Sequence, residues 1–86
     1  MKQSIETKLK SEKMYSALMN RGYVISAQRR ILIEALCEQR RVYDIEAFWM
    51  KLRLQHGISW ATVYTNIRLL VEIGLVRKDG VEQAKA

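Results

Sequence analysis

Within the ten residues from Ser59 to Arg68 the chain gathers hydroxyls, small side chains, an aromatic ring and a guanidinium: Ser59, Ala61, Thr62, Tyr64, Thr65 and Arg68. These groups suit contact rather than bond-making. Hydroxyls and guanidinium groups bond to phosphates or base edges, a small residue allows close approach, and an aromatic ring can touch the methyl group of a thymine. Further cations, Arg29, Arg30, Arg77 and Lys78, lie elsewhere in the chain and add to the candidate set for phosphate contact. Bond-making chemistry has no comparable signal. There is no Gly-rich phosphate loop, no nucleophile with a base at suitable spacing and no carboxylate pair, so no catalytic residue, cofactor or small-molecule substrate is expected. His56 and Cys37 are the only histidine and cysteine, which is too few for a tetrahedral zinc site within one chain. The sequence therefore predicts no metal site. Cys37 reads as a small core residue and His56 as a side chain near a helix end, beside its last carbonyls.

The composition agrees with a polyanionic partner. In 86 residues there are 15 Lys and Arg against 9 Asp and Glu, a formal net charge of +6, which favours nucleic acid or an acidic surface. Apolar residues make up 49% of the chain, enough for a packed core and too many for a disordered segment. A single cysteine cannot form an intramolecular disulfide, so no oxidising compartment is needed. No apolar run approaches the roughly 20 residues of a membrane span. The start Met1-Lys2-Gln3-Ser4-Ile5-Glu6 is too polar for a secretory leader, so the expected location is cytoplasmic, with no membrane partner.

Four helices followed by a hairpin must hold the contact residues in place. The chain has no proline, and its four glycines, Gly22, Gly57, Gly74 and Gly80, fall where periodic stretches end. Within the segment 1–21, a helix from about Ile5 to Arg21 carries Ile5, Leu9, Met14, Ala17 and Leu18 as an imperfect apolar stripe. Ser26 is a good N-cap for a second helix, Ala27 to about Glu38, with Ile31, Leu32, Ala35 and Leu36 on one side. Asp44 caps a third helix, Ile45 to about Gln55, with Phe48, Leu52 and Trp49 as candidates for its inner face. Ser59 caps a fourth that runs to Ile73. There Val63, Ile67, Leu70 and Val71 follow the i, i+4, i+7, i+8 spacing of one buried face. Leu75 to Lys78 then reads as a strand, Asp79-Gly80 as a two-residue turn and Val81-Glu82 as a short return strand.

The predicted fold is thus mainly α with a small β-hairpin, arranged as one domain over 1–86. Residues 44–73 form a helix-turn-helix, and 75–83 form a wing directly after its second helix. A plain helical bundle would not need the Asp79-Gly80 hairpin. In a winged helix-turn-helix the fourth helix is the element that enters a major groove about 12 Å wide. Its N-terminus itself favours a phosphate.

The motif Ile58-Ser59-x-Ala61-Thr62-Val63-Tyr64-x-Asn66, followed by Leu70-Val71-Glu72-x-Gly74-Leu75-Val76, resembles the DNA-binding domain of the ferric uptake regulator (Fur) family. The upstream Gly22-Tyr23-x-Ile25-Ser26-x-Gln28-Arg29-Arg30-x-Leu32-Ile33-x-Ala35-Leu36 is similar to that family's second-helix signature, and the spacing between the two motifs also fits. The resemblance spans roughly Leu18 to Lys78. It implies a bacterial transcriptional repressor that binds double-stranded DNA, with Tyr64 matching the family's thymine-contacting tyrosine. The family's next contact is an arginine, and here that position is Thr65. The family's basic residue in the loop before the second helix has no counterpart in Tyr23-Val24-Ile25.

Family members continue into a metal-binding dimerisation domain that has no counterpart within these 86 residues. An isolated DNA-binding domain and a short metal-free relative both fit. With that domain absent, the N-terminal helix is the candidate surface for a homodimer, through Ile5, Leu9, Met14 and Leu18 with Tyr15 alongside. The alternative to DNA binding is a winged-helix module for protein contact or dimerisation that has lost specific DNA binding. The Thr65 and Val24 departures motivate it.

Overall fold

The structure is a computed structural model that describes residues 5–39, 42 and 44–77. Among these residues there are four helices, α1 (Ile5–Asn20), α2 (Ala27–Gln39), α3 (Ile45–His56) and α4 (Trp60–Glu72). The chain divides into two compact units, Met1–Gln39 and Arg40–Ala86. None of the helices is long and apolar enough to cross a membrane.

In the first unit α1 packs on α2. Ser26 caps α2 as its sequence suggests, its hydroxyl accepting from the Arg29 N–H at 3.1 Å. The buried apolar residues of the pair are Met14, Tyr15, Leu18, Leu32, Ile33, Leu36 and Cys37. The expected α1 stripe is corrected here. Met14 and Leu18 are buried, but Ile5 is 79% exposed and Leu9 57% exposed. At 100° per residue, positions 5 and 9 lie on the opposite side of a helix from 14 and 18, because five residues rather than four separate Leu9 from Met14. Thr7 and Ser11 complete the buried line instead, and Ser11 remains satisfied by donating its hydroxyl to the Thr7 carbonyl at 2.9 Å. On α2 the buried line is Leu32, Ile33, Leu36 and Cys37, while Ile31 and Ala35 are only half-buried. Tyr15 is also buried, and its hydroxyl donates to the Glu34 carboxylate at 2.9 Å. Burial pushes the Cys37 thiol up to about 11, an effect that Lys10 moderates, so the thiol stays protonated and unreactive at neutral pH.

In the second unit the local signals set both helix boundaries. The Asp44 carboxylate accepts from the Ala47 N–H at 3.2 Å, and the Ser59 hydroxyl accepts from the Thr62 N–H at the same distance. Gly57 sits at φ 68, a left-handed conformation that a side chain would strain, and its N–H returns to the Arg53 carbonyl at 2.9 Å. This αL cap lets only Gly57, Ile58 and Ser59 separate α3 from α4. Ile58 within the turn is fully buried, and Phe48, Leu52, Val63, Ile67 and Leu70 are each at most 5% exposed. Val71 is half-buried.

Of the expected strand Leu75–Lys78 the described residues cover Leu75 to Arg77, where Val76 makes an isolated bridge pairing. The Leu75 and Val76 N–H groups turn back to the Leu70 carbonyl at 2.9 and 3.3 Å and close the helix. Lys78, the Asp79-Gly80 turn and the Val81-Glu82 return strand lie outside the described residues.

Candidate nucleic-acid interface

The α4 helix separates its residues by side. Val63, Asn66, Ile67 and Leu70 are buried, whereas Ala61, Tyr64, Thr65 and Arg68 are exposed, and Thr62 is half-buried. The exposed residues share one side of the helix. At its N-terminal end, the Ser59 and Thr62 hydroxyls hydrogen-bond each other at 3.0 Å. Ser59 thus serves first as the cap, and it presents its oxygen together with that of Thr62 at the helix end. Asn66 supports the same turn from the buried side, its side-chain amide donating to the Thr62 carbonyl at 2.7 Å.

Arg68 is not a free arm. Its guanidinium lies 5.9 Å from the centre of the Tyr64 ring, and its Nη2 is 3.9 Å from the Glu72 carboxylate. Both partners are one turn away, so they hold the cation along the exposed face at little cost. The pair is solvent-exposed, so the carboxylate is easily exchanged for a phosphate. Arg77 is exposed beyond the end of the helix.

Arg29 and Arg30 belong to the first unit. Arg29 donates through Nη1 to the Val24 carbonyl at 2.8 Å and lies over the Tyr23 ring at 5.8 Å. Arg30 lies over the Tyr15 ring at 5.0 Å. Both guanidinium groups are therefore oriented by aromatic neighbours.

A feature absent from the sequence reading is an aromatic ladder with a cation at each end. Trp60 is stacked on Tyr64, with 6.0 Å between centres and 22° between planes. Trp49 of α3 meets Trp60 nearly at right angles, at 5.6 Å and 76°. Arg53 lies 5.6 Å from the Trp49 ring centre, and Arg68 takes the corresponding place on Tyr64. Trp49 is anchored by its indole N–H, which donates to the Ile58 carbonyl at 3.1 Å. Part of this was legible: Trp60, Tyr64 and Arg68 recur every four residues, the spacing of helix neighbours. The link to Trp49 crosses the Gly57 turn, so no periodicity announces it.

The described residues contain no group of three or more His, Cys, Asp or Glu able to hold a metal ion. Comparison of the chain with known protein families, curated proteins and solved structures finds no match.

Proposed function

We propose that this protein is a cytoplasmic bacterial transcriptional regulator of the winged helix-turn-helix type, similar to the DNA-binding domain of the Fur family. In this reading α4 enters the major groove of double-stranded DNA. The observation that carries it is the division of α4: an apolar side buried to 5% exposure or less at Val63, Ile67 and Leu70, and an exposed side of Ala61, Tyr64, Thr65 and Arg68. The capped helix start adds N–H groups and a partial positive charge where a phosphate would lie. The net charge of +6 supports the same partner. The wing is part of the proposal. Its support is the Val76 bridge and the Asp79-Gly80 turn signal, with Arg77 and Lys78 as its phosphate contacts.

Titration of duplex DNA at two salt concentrations tests this reading. Should Arg29, Arg30, Arg68 and Arg77 neutralise about four phosphates, affinity falls roughly a hundredfold between about 50 and about 200 mM salt. Absence of binding at the lower salt would overturn the proposal.

The exposure of Ile5 and Leu9 favours a second reading, in which α1 joins two copies of the chain. Sedimentation should then show a dimer that the double variant Ile5→Lys, Leu9→Lys converts to monomer. A wild-type chain that stays monomeric at high concentration rejects this reading and leaves the first one standing.

A further inference from the structure

The ladder Arg53–Trp49–Trp60–Tyr64–Arg68 goes beyond what capping and core packing require. Trp60 is 40% exposed and Tyr64 46% exposed, and these two large side chains lie side by side on the same face as Arg68. Adjacent exposed aromatics mark a contact surface more often than isolated ones. The cations at both ends, Arg53 and Arg68, are exposed. They select a polyanion over a second copy of this chain, whose own arginines they would meet.

The geometry also chooses between forms of nucleic acid. An unpaired base binds by stacking on an open ring face. Tyr64 has Trp60 on one side along the helix and the Arg68 guanidinium on the other. Trp60 turns one face to Tyr64 and is met by Trp49. Trp60 and Tyr64 thus each cover a face of the other, and the Arg68 guanidinium lies against Tyr64, so a base has less open ring face to stack on. A rim carries the positive edge of the ring quadrupole and apolar C–H groups, which suit carbonyl oxygens and methyl groups at base edges.

We propose that the ladder is a second base-reading element, in which the rim of Trp60 meets a thymine methyl beside the base pair approached by Tyr64. Arg53 and Arg68 lie at its two ends for the flanking phosphates. This rests on the reading of α4 as the groove-entering helix. Trp49 is a positioning residue here. Its bond to the Ile58 carbonyl fixes the surface against which Trp60 rests.

The two tryptophans of the chain, Trp49 and Trp60, are both in the ladder, so intrinsic emission reports on this site alone. The full chain is titrated with an alternating dA·dT duplex and with its deoxyuridine counterpart, which differs only by the thymine methyl. Binding is followed by anisotropy of labelled DNA, and tryptophan emission and iodide access are followed in parallel. The dA·dT duplex should change tryptophan emission and shield it from iodide. Trp60→Ala should lower the preference for thymine over uracil by about fourfold, the worth of one methyl group removed from water. Trp60→Phe should keep part of the preference and melt close to wild type, whereas Trp60→Ala also loses its ring contacts with Trp49 and Tyr64 and should melt somewhat lower.

Duplex binding that leaves emission and iodide access unchanged would overturn the inference while leaving DNA binding intact. An unchanged preference in Trp60→Ala would do the same. Tighter binding and stronger quenching with single-stranded oligothymidine would assign the ladder to unpaired bases instead. Absence of any duplex binding would remove this inference together with the reading it rests on.

Discussion

Replacing Leu70 by alanine should lower stability by about 2–5 kcal/mol, the range for removing a buried leucine side chain. Leu70 is 2% exposed and lies on the buried line of α4 with Val63 and Ile67. Its backbone carbonyl would still receive the Leu75 and Val76 N–H groups, so the helix end survives and the loss isolates the side chain. In a protein of this size the melting temperature should fall by roughly 10 °C or more. That is a large part of the stability of a small fold. A shift within about 2 °C of wild type would mean that the apolar side of α4 does not form the core described above.

Asn66→Asp should cost about 3 kcal/mol, although it exchanges only an amide for a carboxylate. Asn66 is 7% exposed and donates to the Thr62 carbonyl at 2.7 Å. An ionised carboxylate cannot donate, so its oxygen would face the carbonyl oxygen as a buried charge. The loss should shrink in acid, where a protonated carboxyl can donate again. Asn66→Leu should be milder, within about 1.5 kcal/mol, because the carbonyl of Thr62 still serves the helix ladder and no charge is buried. Urea unfolding of the two variants checks this order. Equal losses for both would show that the carboxylate of the Asn66→Asp variant is not held as a buried charge against the Thr62 carbonyl.

Signals contained within one turn were legible in the sequence. Asp44, Gly57 and Ser59 each act on backbone groups three or four residues away, and the structure places all three at helix ends. Val63, Ile67 and Leu70 were also legible, since helix periodicity and burial agree there. Periodicity misled where it was imperfect. Ile5 and Leu9 form only an imperfect stripe with Met14 and Leu18, because the five-residue step puts them on opposite sides of α1. Ile33 took the buried place expected of Ile31. The polar Asn66 among apolar neighbours gave no sign that its own helix carbonyl would satisfy it. The Trp49–Trp60 contact depends on the direction of the turn between two helices, and that direction follows from tertiary structure rather than spacing.

The three-residue connection at Gly57 also acts as a lever. A helix of 13 residues such as α4 is about 20 Å long, so an angular error of ~5° at the turn would move its far end by about 1.7 Å. That displacement exceeds the tolerance of a directed hydrogen bond. The Trp49 indole, tied to the Ile58 carbonyl at the fulcrum and resting against Trp60 at the start of the arm, braces this lever from the α3 side. The aim of Arg68, two turns further along, is therefore set by a strut on a different helix.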